Sequence, residues 1–81
     1  MKITAVESST LSAVAYDESR GILQLEFRSR AIYRYDDVPS GVHEGLMGAA
    51  SKGRYFNRAI RGQYRYVTAV DKRDGGAGEE A

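Results

Sequence analysis

Basic side chains are concentrated in one stretch of this 81-residue chain. Residues 52–65 hold five cations and no acid, although the net charge of the whole chain is only +1. Arg54, Arg58 and Arg61 are spaced i, i+4 and i+7, which predicts one stripe along a helix. Because a guanidinium group pairs bidentately with phosphate, an exposed stripe could follow a nucleic-acid backbone. The alternative is a solvated helix face, partly paired with the chain's own carboxylates. The other two cations are Lys52 and Arg65.

Tyrosines provide a second chemical signal, because exposed aromatic rings stack on unpaired bases. Tyr33 and Tyr35 would share one face of a strand. If that face is open, the two rings form a stacking platform; if helices cover it, they belong to the core with their hydroxyls at its rim. Tyr55 and Tyr64 could extend such a platform, and the amide of Asn57 could hydrogen-bond a base edge or loop backbone.

The Ser51-Lys52-Gly53 sequence is a third candidate site, because it precedes a predicted helix. Free N–H groups at a helix start, beside a glycine and a lysine, can hold one phosphate or carboxylate. The same three residues could instead cap the helix and form a tight turn between two helices.

Catalysis and metal binding find little support in the sequence. The chain has no cysteine and one histidine, His43, which we expect to face solvent on a helix. Neither a nucleophile–base pair nor a metal-ligand spacing is recognisable, so we predict no enzyme activity, metal or cofactor. No apolar run approaches the roughly 20 residues of a membrane span, and the sequence start lacks the apolar block of a signal peptide. These features predict a cytoplasmic protein without membrane association.

Hydrophobic periodicity predicts the elements that must position these residues. Alternation predicts strands over residues 11–17, 22–28 and 31–35, and the short turns between them predict an antiparallel meander. Residues 1–6 could add an edge strand, and residues 64–70 should return as the last strand.

Two helices are predicted before that last strand. Val38-Pro39-Ser40 is a helix entry, and apolar spacing predicts a helix over residues 39–50. Gly45 and Gly48 are expected to allow its close approach to the sheet. A second helix should run from Ser51 to Arg61 and end at Gly62.

The fold class is therefore α+β, a small antiparallel meander of three to five strands packed against two short helices. The last strand follows the helices. Residues 1–70 are predicted to form one domain, and residues 71–81 a flexible glycine-rich, charged tail.

Several short strings of this chain occur together: Ser8-Ser9, Ala15-Tyr16-Asp17, Leu23-x-Leu25-x-Phe27, Tyr33-x-Tyr35, Val38-Pro39, Ala50-Ser51-Lys52-Gly53-x-Tyr55-Phe56-Asn57, Ile60-Arg61 and Tyr64. With these strings the chain resembles the KTSC domain family over roughly residues 6–66. The family often has an Asn-Gly type turn where this chain has Arg28-Ser29-Arg30-Ala31. The resemblance implies a domain that occurs at the C-terminal end of some lysyl-tRNA synthetases and as a small stand-alone bacterial protein. The family has no established activity, and RNA binding has been proposed for it through the synthetases.

The leading hypothesis is a non-catalytic module that binds RNA or another single-stranded nucleic acid. One alternative is a protein–protein interaction module that uses the same stripe or an open sheet edge. Another is a binder of a small anion, such as a nucleotide, at the Ser51-Lys52-Gly53 turn. A homodimer contact could supplement the small core. The predicted nucleic-acid-binding residues are Lys52, Arg54, Arg58, Arg61, Arg65, Tyr33, Tyr35, Tyr55 and Asn57.

Overall fold

One antiparallel sheet of five strands carries two helices on one face. The structure, a computed structural model, describes residues 2–69. The strands follow one another in sequence order across the sheet, and both helices lie between the fourth and fifth strands. This confirms the predicted α+β fold with its last strand after the helices; the predicted tail lies outside the described residues. The elements are β1 (Lys2–Ala5), β2 (Leu11–Asp17), β3 (Ile22–Phe27), β4 (Ile32–Tyr35), α1 (Ser40–Gly48), α2 (Lys52–Tyr55), a π-turn (Phe56–Ile60) that continues α2, and β5 (Tyr66–Ala69).

The pairing of β3 with β4 decides which face carries the tyrosines. Leu23 pairs with Tyr35, and Leu25 pairs with Tyr33. Paired residues of antiparallel strands point to the same side of a sheet. Since Leu23 and Leu25 are fully buried under the helices, Tyr33 and Tyr35 also lie on the covered face. The core interpretation of these two tyrosines is therefore the one that the fold supports.

A bulge in β2 adds one more residue to the covered face. Leu11 pairs with Phe27, whereas Ala13 pairs with the adjacent Glu26, so Ser12 is an extra residue in the ladder. Strict alternation would place Leu11 with Ala13 on the uncovered face. The bulge turns Leu11 toward the helices instead, where it is fully buried.

The helices cover the sheet with few apolar side chains. Leu46 of α1 is fully buried, and Phe56 and Ile60 are both buried from the π-turn. The backbone N–H of Arg61 donates to the carbonyl oxygen of Phe56 at 2.8 Å, which is the i→i+5 bond of a π-turn. The helical segment ends at Ile60, one residue before the predicted end, because Arg61 has an extended backbone; Gly62 follows in the chain turn with φ of 77°. Neither helix within residues 2–69 has the length and apolar character needed to cross a bilayer.

Glycines permit close packing at two places around α2. A Cβ at Gly45 would overlap the hydroxyl of Tyr55, and a Cβ at Gly53 would lie 2.5 Å from the Thr10 Oγ1 atom. A Cβ at Gly48 would have no neighbour within 4 Å. The prediction that Gly45 and Gly48 approach the sheet is therefore wrong: Gly45 faces the second helix, and Gly48 faces open space.

Alanine at Gly53 is expected to destabilise the fold, because the new methyl group overlaps the Thr10 side chain. We expect the free energy of unfolding to fall by about 1–3 kcal/mol, the usual cost of overpacking. Alanine at Gly48 is the matched control, and its better helix propensity should stabilise by up to about 1 kcal/mol. Urea denaturation measures both variants; equal stability of the two would contradict the close approach at Gly53.

The turn between β3 and β4 holds Arg30 in the left-handed region of backbone conformation. Its φ is 79°, and its N–H donates to the carbonyl oxygen of Phe27 at 2.8 Å. A residue with a Cβ atom pays roughly 1–2 kcal/mol for this conformation, whereas glycine does not.

Replacing Arg30 with glycine should therefore raise the free energy of unfolding by about 1 kcal/mol. The same replacement at Ser29, whose φ is not positive, is the control and should lower it by a few tenths of a kcal/mol or more, through the added freedom of the unfolded chain. Thermal denaturation of both variants checks the sign; destabilisation by Arg30→Gly would contradict the strained turn.

Candidate functional site

The predicted arginine stripe divides between two depressions on the surface. Arg54 and Arg58 are exposed and line a shallow depression of about 320 Å³ between α1 and α2. Arg61 lies beyond the π-turn with an extended backbone (φ −63°, ψ 126°) and lines a separate aromatic pocket. The π-turn interrupts the regular helical spacing that would have aligned all three side chains. The stripe predicted from i, i+4 and i+7 is therefore not continuous.

These three arginines have no carboxylate partner within the described part of the chain. The one ion pair found among residues 2–69 joins Arg20 Nε to Asp17 Oδ2 at 3.7 Å, at the turn after β2. Three guanidinium groups thus face solvent with their charge uncompensated by residues 2–69.

The arginines make neutral contacts instead. Arg58 Cζ lies 6.0 Å from the centroid of the Tyr55 ring, at the outer limit of a cation–π contact. Arg61 Nη1 donates to Asn57 Oδ1 at the long distance of 3.4 Å. Because a guanidinium group has five N–H donors, these contacts leave most of its capacity available to a ligand.

The Ser51-Lys52-Gly53 turn makes the contacts of a helix cap. Lys52 Nζ donates to the carbonyl oxygens of Met47 and Ala49, at 3.2 and 3.3 Å, at the end of α1. Ser51 Oγ accepts from the backbone N–H of Arg54 at 3.3 Å, within the first turn of α2. These contacts favour the structural alternative for the turn, and they direct the ammonium group of Lys52 toward backbone carbonyls rather than toward the surface arginines.

Three other residues considered in the sequence analysis do not lie with the arginines. Arg65 is exposed on the loop before β5, and lines neither depression. Tyr64 is half-buried against the core. His43 is half-buried and stacks on Tyr16, with ring centroids 4.6 Å apart, so the prediction that it faces solvent is wrong.

An aromatic pocket of about 290 Å³ opens between the β3–β4 turn, β5 and the end of the π-turn. Tyr35 forms its buried wall, with 3% of its surface exposed, and Tyr33 is half-buried beside it. The rings of Tyr33 and Tyr35 are nearly parallel, 17° apart in orientation, with centroids 6.3 Å apart. The lining residues are Phe27, Ser29, Ala31, Tyr33, Tyr35, Phe56, Arg61, Gly62 and Tyr66.

Tyr66 belongs to this pocket but was not among the predicted site residues. It pairs with Tyr35 across β4 and β5, and 51% of its surface is exposed. Its ring centroid lies 5.2 Å from that of Tyr33 and 5.4 Å from that of Tyr35. The sequence could have indicated that Tyr66 lies beside Tyr33 and Tyr35 only if the pairing of β5 with β4 had been predicted. The two helices separate Tyr66 from both tyrosines along the chain.

Burial raises the pKa of the Tyr35 hydroxyl to about 12. The neighbouring Tyr33 and Tyr66 act in the same direction, and the positive charge of Arg61 acts against them. Arg61 is thus close enough to the pocket for its charge to act on a hydroxyl group in the wall.

This shift predicts a loss of stability at alkaline pH. In the unfolded chain a tyrosine ionises near pH 10, whereas Tyr35 in the folded protein keeps its proton to about pH 12. Between these values only the unfolded state gains by losing the proton, so the free energy of unfolding falls as pH rises.

Tyr35→Phe should remove this contribution and make the decline between pH 10 and 12 less steep than in the wild type. Urea denaturation at several pH values measures the two slopes. Equal slopes would contradict a Tyr35 hydroxyl that stays protonated in the fold.

Comparisons with known proteins agree with the fold and with the resemblance of the sequence. The pattern of the KTSC domain matches residues 7–64. An uncharacterised protein of Stutzerimonas stutzeri is 46% identical over 67 residues, which cover 82% of this chain and 94% of that protein. A lysine–tRNA ligase of a Nostoc species is 45% identical over 60 residues, 74% of this chain but 11% of the ligase. The crystal structure of a KTSC domain protein from Yersinia pestis superposes with a TM-score of 0.83 at 32% identity, covering 85% of this chain and 97% of that one.

Proposed function

The chain belongs to the KTSC domain family, and we propose that it is a non-catalytic module that binds RNA or another single-stranded nucleic acid. Arg54 and Arg58 would contact phosphates on the helical surface, and Arg61 would extend that contact toward the aromatic pocket. As a partner of RNA it would act in the cytoplasm.

The observation that carries the proposal is the uncompensated charge of these arginines. They lie on one short helical segment and the residue that ends it, and no carboxylate of residues 2–69 lies within 4.0 Å of them. Phosphate groups spaced along a flexible strand could contact several such guanidinium groups in turn, and each contact would release a counterion. Such contacts do not require a nucleic acid that is folded into a fixed shape.

Aromatic groups beside the arginines favour nucleic acid over a simple polyanion. Tyr55 lines the depression with Arg54 and Arg58, and Tyr66 is half-exposed in the pocket with Arg61. Each of these arginines therefore has an aromatic ring near it, and the half-exposed ring of Tyr66 is the one on which a base could stack. The similarity of this chain to a segment of a lysine–tRNA ligase, an enzyme named for an RNA, is consistent with the proposal.

Binding to single-stranded RNA should weaken as salt rises. If three to five phosphates are contacted, the slope of log affinity against log salt should be about −2 to −4. Fluorescence anisotropy with a labelled oligouridine, from low to moderate salt, measures both the affinity and the slope.

The double charge reversal Arg54→Glu with Arg58→Glu should abolish this binding. The variant should still fold, and a cooperative thermal unfolding transition would show this. The matched control is Lys2→Glu with Arg20→Glu, which changes net charge equally at exposed positions elsewhere on the surface. It should retain most of the affinity. If both variants lost affinity equally, the effect would be one of net charge and would contradict a specific role for Arg54 and Arg58. If the wild type did not bind at low salt, the proposal would be refuted.

A further inference from the structure

We propose that the aromatic pocket between β4, β5 and the π-turn receives one unstacked base of the nucleic acid, while Arg61 binds the phosphate attached to it. The inference rests on the proposed function for its class of ligand. It adds a defined base site to a surface that otherwise contacts phosphates.

The inner wall of the pocket is aromatic and closely packed. The Phe56 ring meets Phe27 and Tyr35 edge to face, with centroids 5.3 and 6.0 Å apart. Phe27 also meets Tyr33 edge to face at 5.4 Å. Aromatic pairs in these orientations are stabilised by their quadrupoles as well as by burial, so these contacts hold the wall together without a ligand.

Tyr66 provides the ring that a base would contact. Its plane is tilted by 39° to Tyr33 and by 36° to Tyr35, so the three rings form an open wedge and not a closed stack. Half of the Tyr66 surface remains exposed at the mouth of the pocket. A flat, polarisable group could stack on this exposed part of the Tyr66 ring, and such stacking tolerates any base because each base has a π-face.

The presence of Arg61 in the pocket indicates a ligand with two chemical parts, a ring and an anionic group. It is the one charged residue that lines this otherwise aromatic and small-residue pocket. Its side chain is exposed, and the long contact with Asn57 occupies one of its donors. A ring that stacks on Tyr66, with an anionic group beside it for Arg61, describes a nucleotide unit of a strand.

The size of the pocket limits the ligand to about one such unit. Its volume of about 290 Å³ lies near the lower end of the roughly 300–1,000 Å³ typical of small-molecule pockets. A single base with part of its sugar is compatible with that volume, whereas two stacked bases would extend into solvent.

Mononucleotides test the pocket separately from strand binding by Arg54 and Arg58, because a single nucleotide is too short to span both surfaces. In an NMR titration with AMP or UMP at millimolar concentration, we expect shifts of the ring resonances of Tyr66 and Tyr33 that inorganic phosphate alone does not produce, whereas phosphate alone should shift only the Arg61 resonances. Tyr66→Ala should remove the response and Tyr66→Phe should keep it. Val67→Ala is the matched control, since Val67 is 55% exposed on the opposite face of the same strand.

Oligonucleotides separate this inference from the proposed function. An oligouridine should bind about 5- to 150-fold more tightly than an abasic strand of equal length and charge, which is the range expected for stacking one base. Tyr66→Ala should abolish that difference while leaving abasic-strand affinity unchanged.

Equal affinity for the two strands, with no response to mononucleotides, would overturn the base site and leave phosphate binding intact. Mononucleotide binding without any tighter binding of strands would support the base site and refute the proposed function. Saturation of the Tyr66 response by N-acetyltyrosine, a ring with a carboxylate, at lower concentration than by AMP or UMP would overturn the assignment to a base.

Discussion

The ring of Phe56 meets Phe27 and Tyr35 edge to face, and this contact sets where the second helix crosses the sheet. Phe56 opens the π-turn, and Ile60, one turn later, is buried in the same core. With few apolar residues available to cover the sheet, both contacts are needed to bury its central strands. Arg61 follows directly after this packed segment, and Phe56 lines the pocket together with it.

Side-chain periodicity was sufficient to predict the antiparallel meander, the two helices and their approximate bounds, but not the pairing of the last strand with β4. Strand 11–17 was predicted with the bounds observed, since the alternation of Val14 and Tyr16 continues to a polar turn. The bulge at Ser12 could not be predicted, because a one-residue insertion leaves no compositional mark. The π-turn was missed for a related reason: its sequence differs from an ordinary helix in no residue type, and tertiary packing selects it.

The candidate site was predictable in its chemistry but not in its arrangement. Local charge identified Arg54, Arg58 and Arg61, since an acid-free stretch is visible in the sequence alone. Their division between two depressions depends on the π-turn, and the contribution of Tyr66 depends on pairing between strands separated by two helices. Lys52 was predicted to belong to the basic surface. Its ammonium group instead donates to carbonyl oxygens at the end of α1.

Sequential strand order also makes the domain easy to attach to other proteins. With β1 at one edge and β5 at the other, four strand spacings, or about 19 Å, separate the two edges. The aromatic pocket lies at the β4–β5 side. A polypeptide fused ahead of β1 would leave the sheet at the remote edge, so a large enzyme could carry this fold as an appendage without obstructing the pocket.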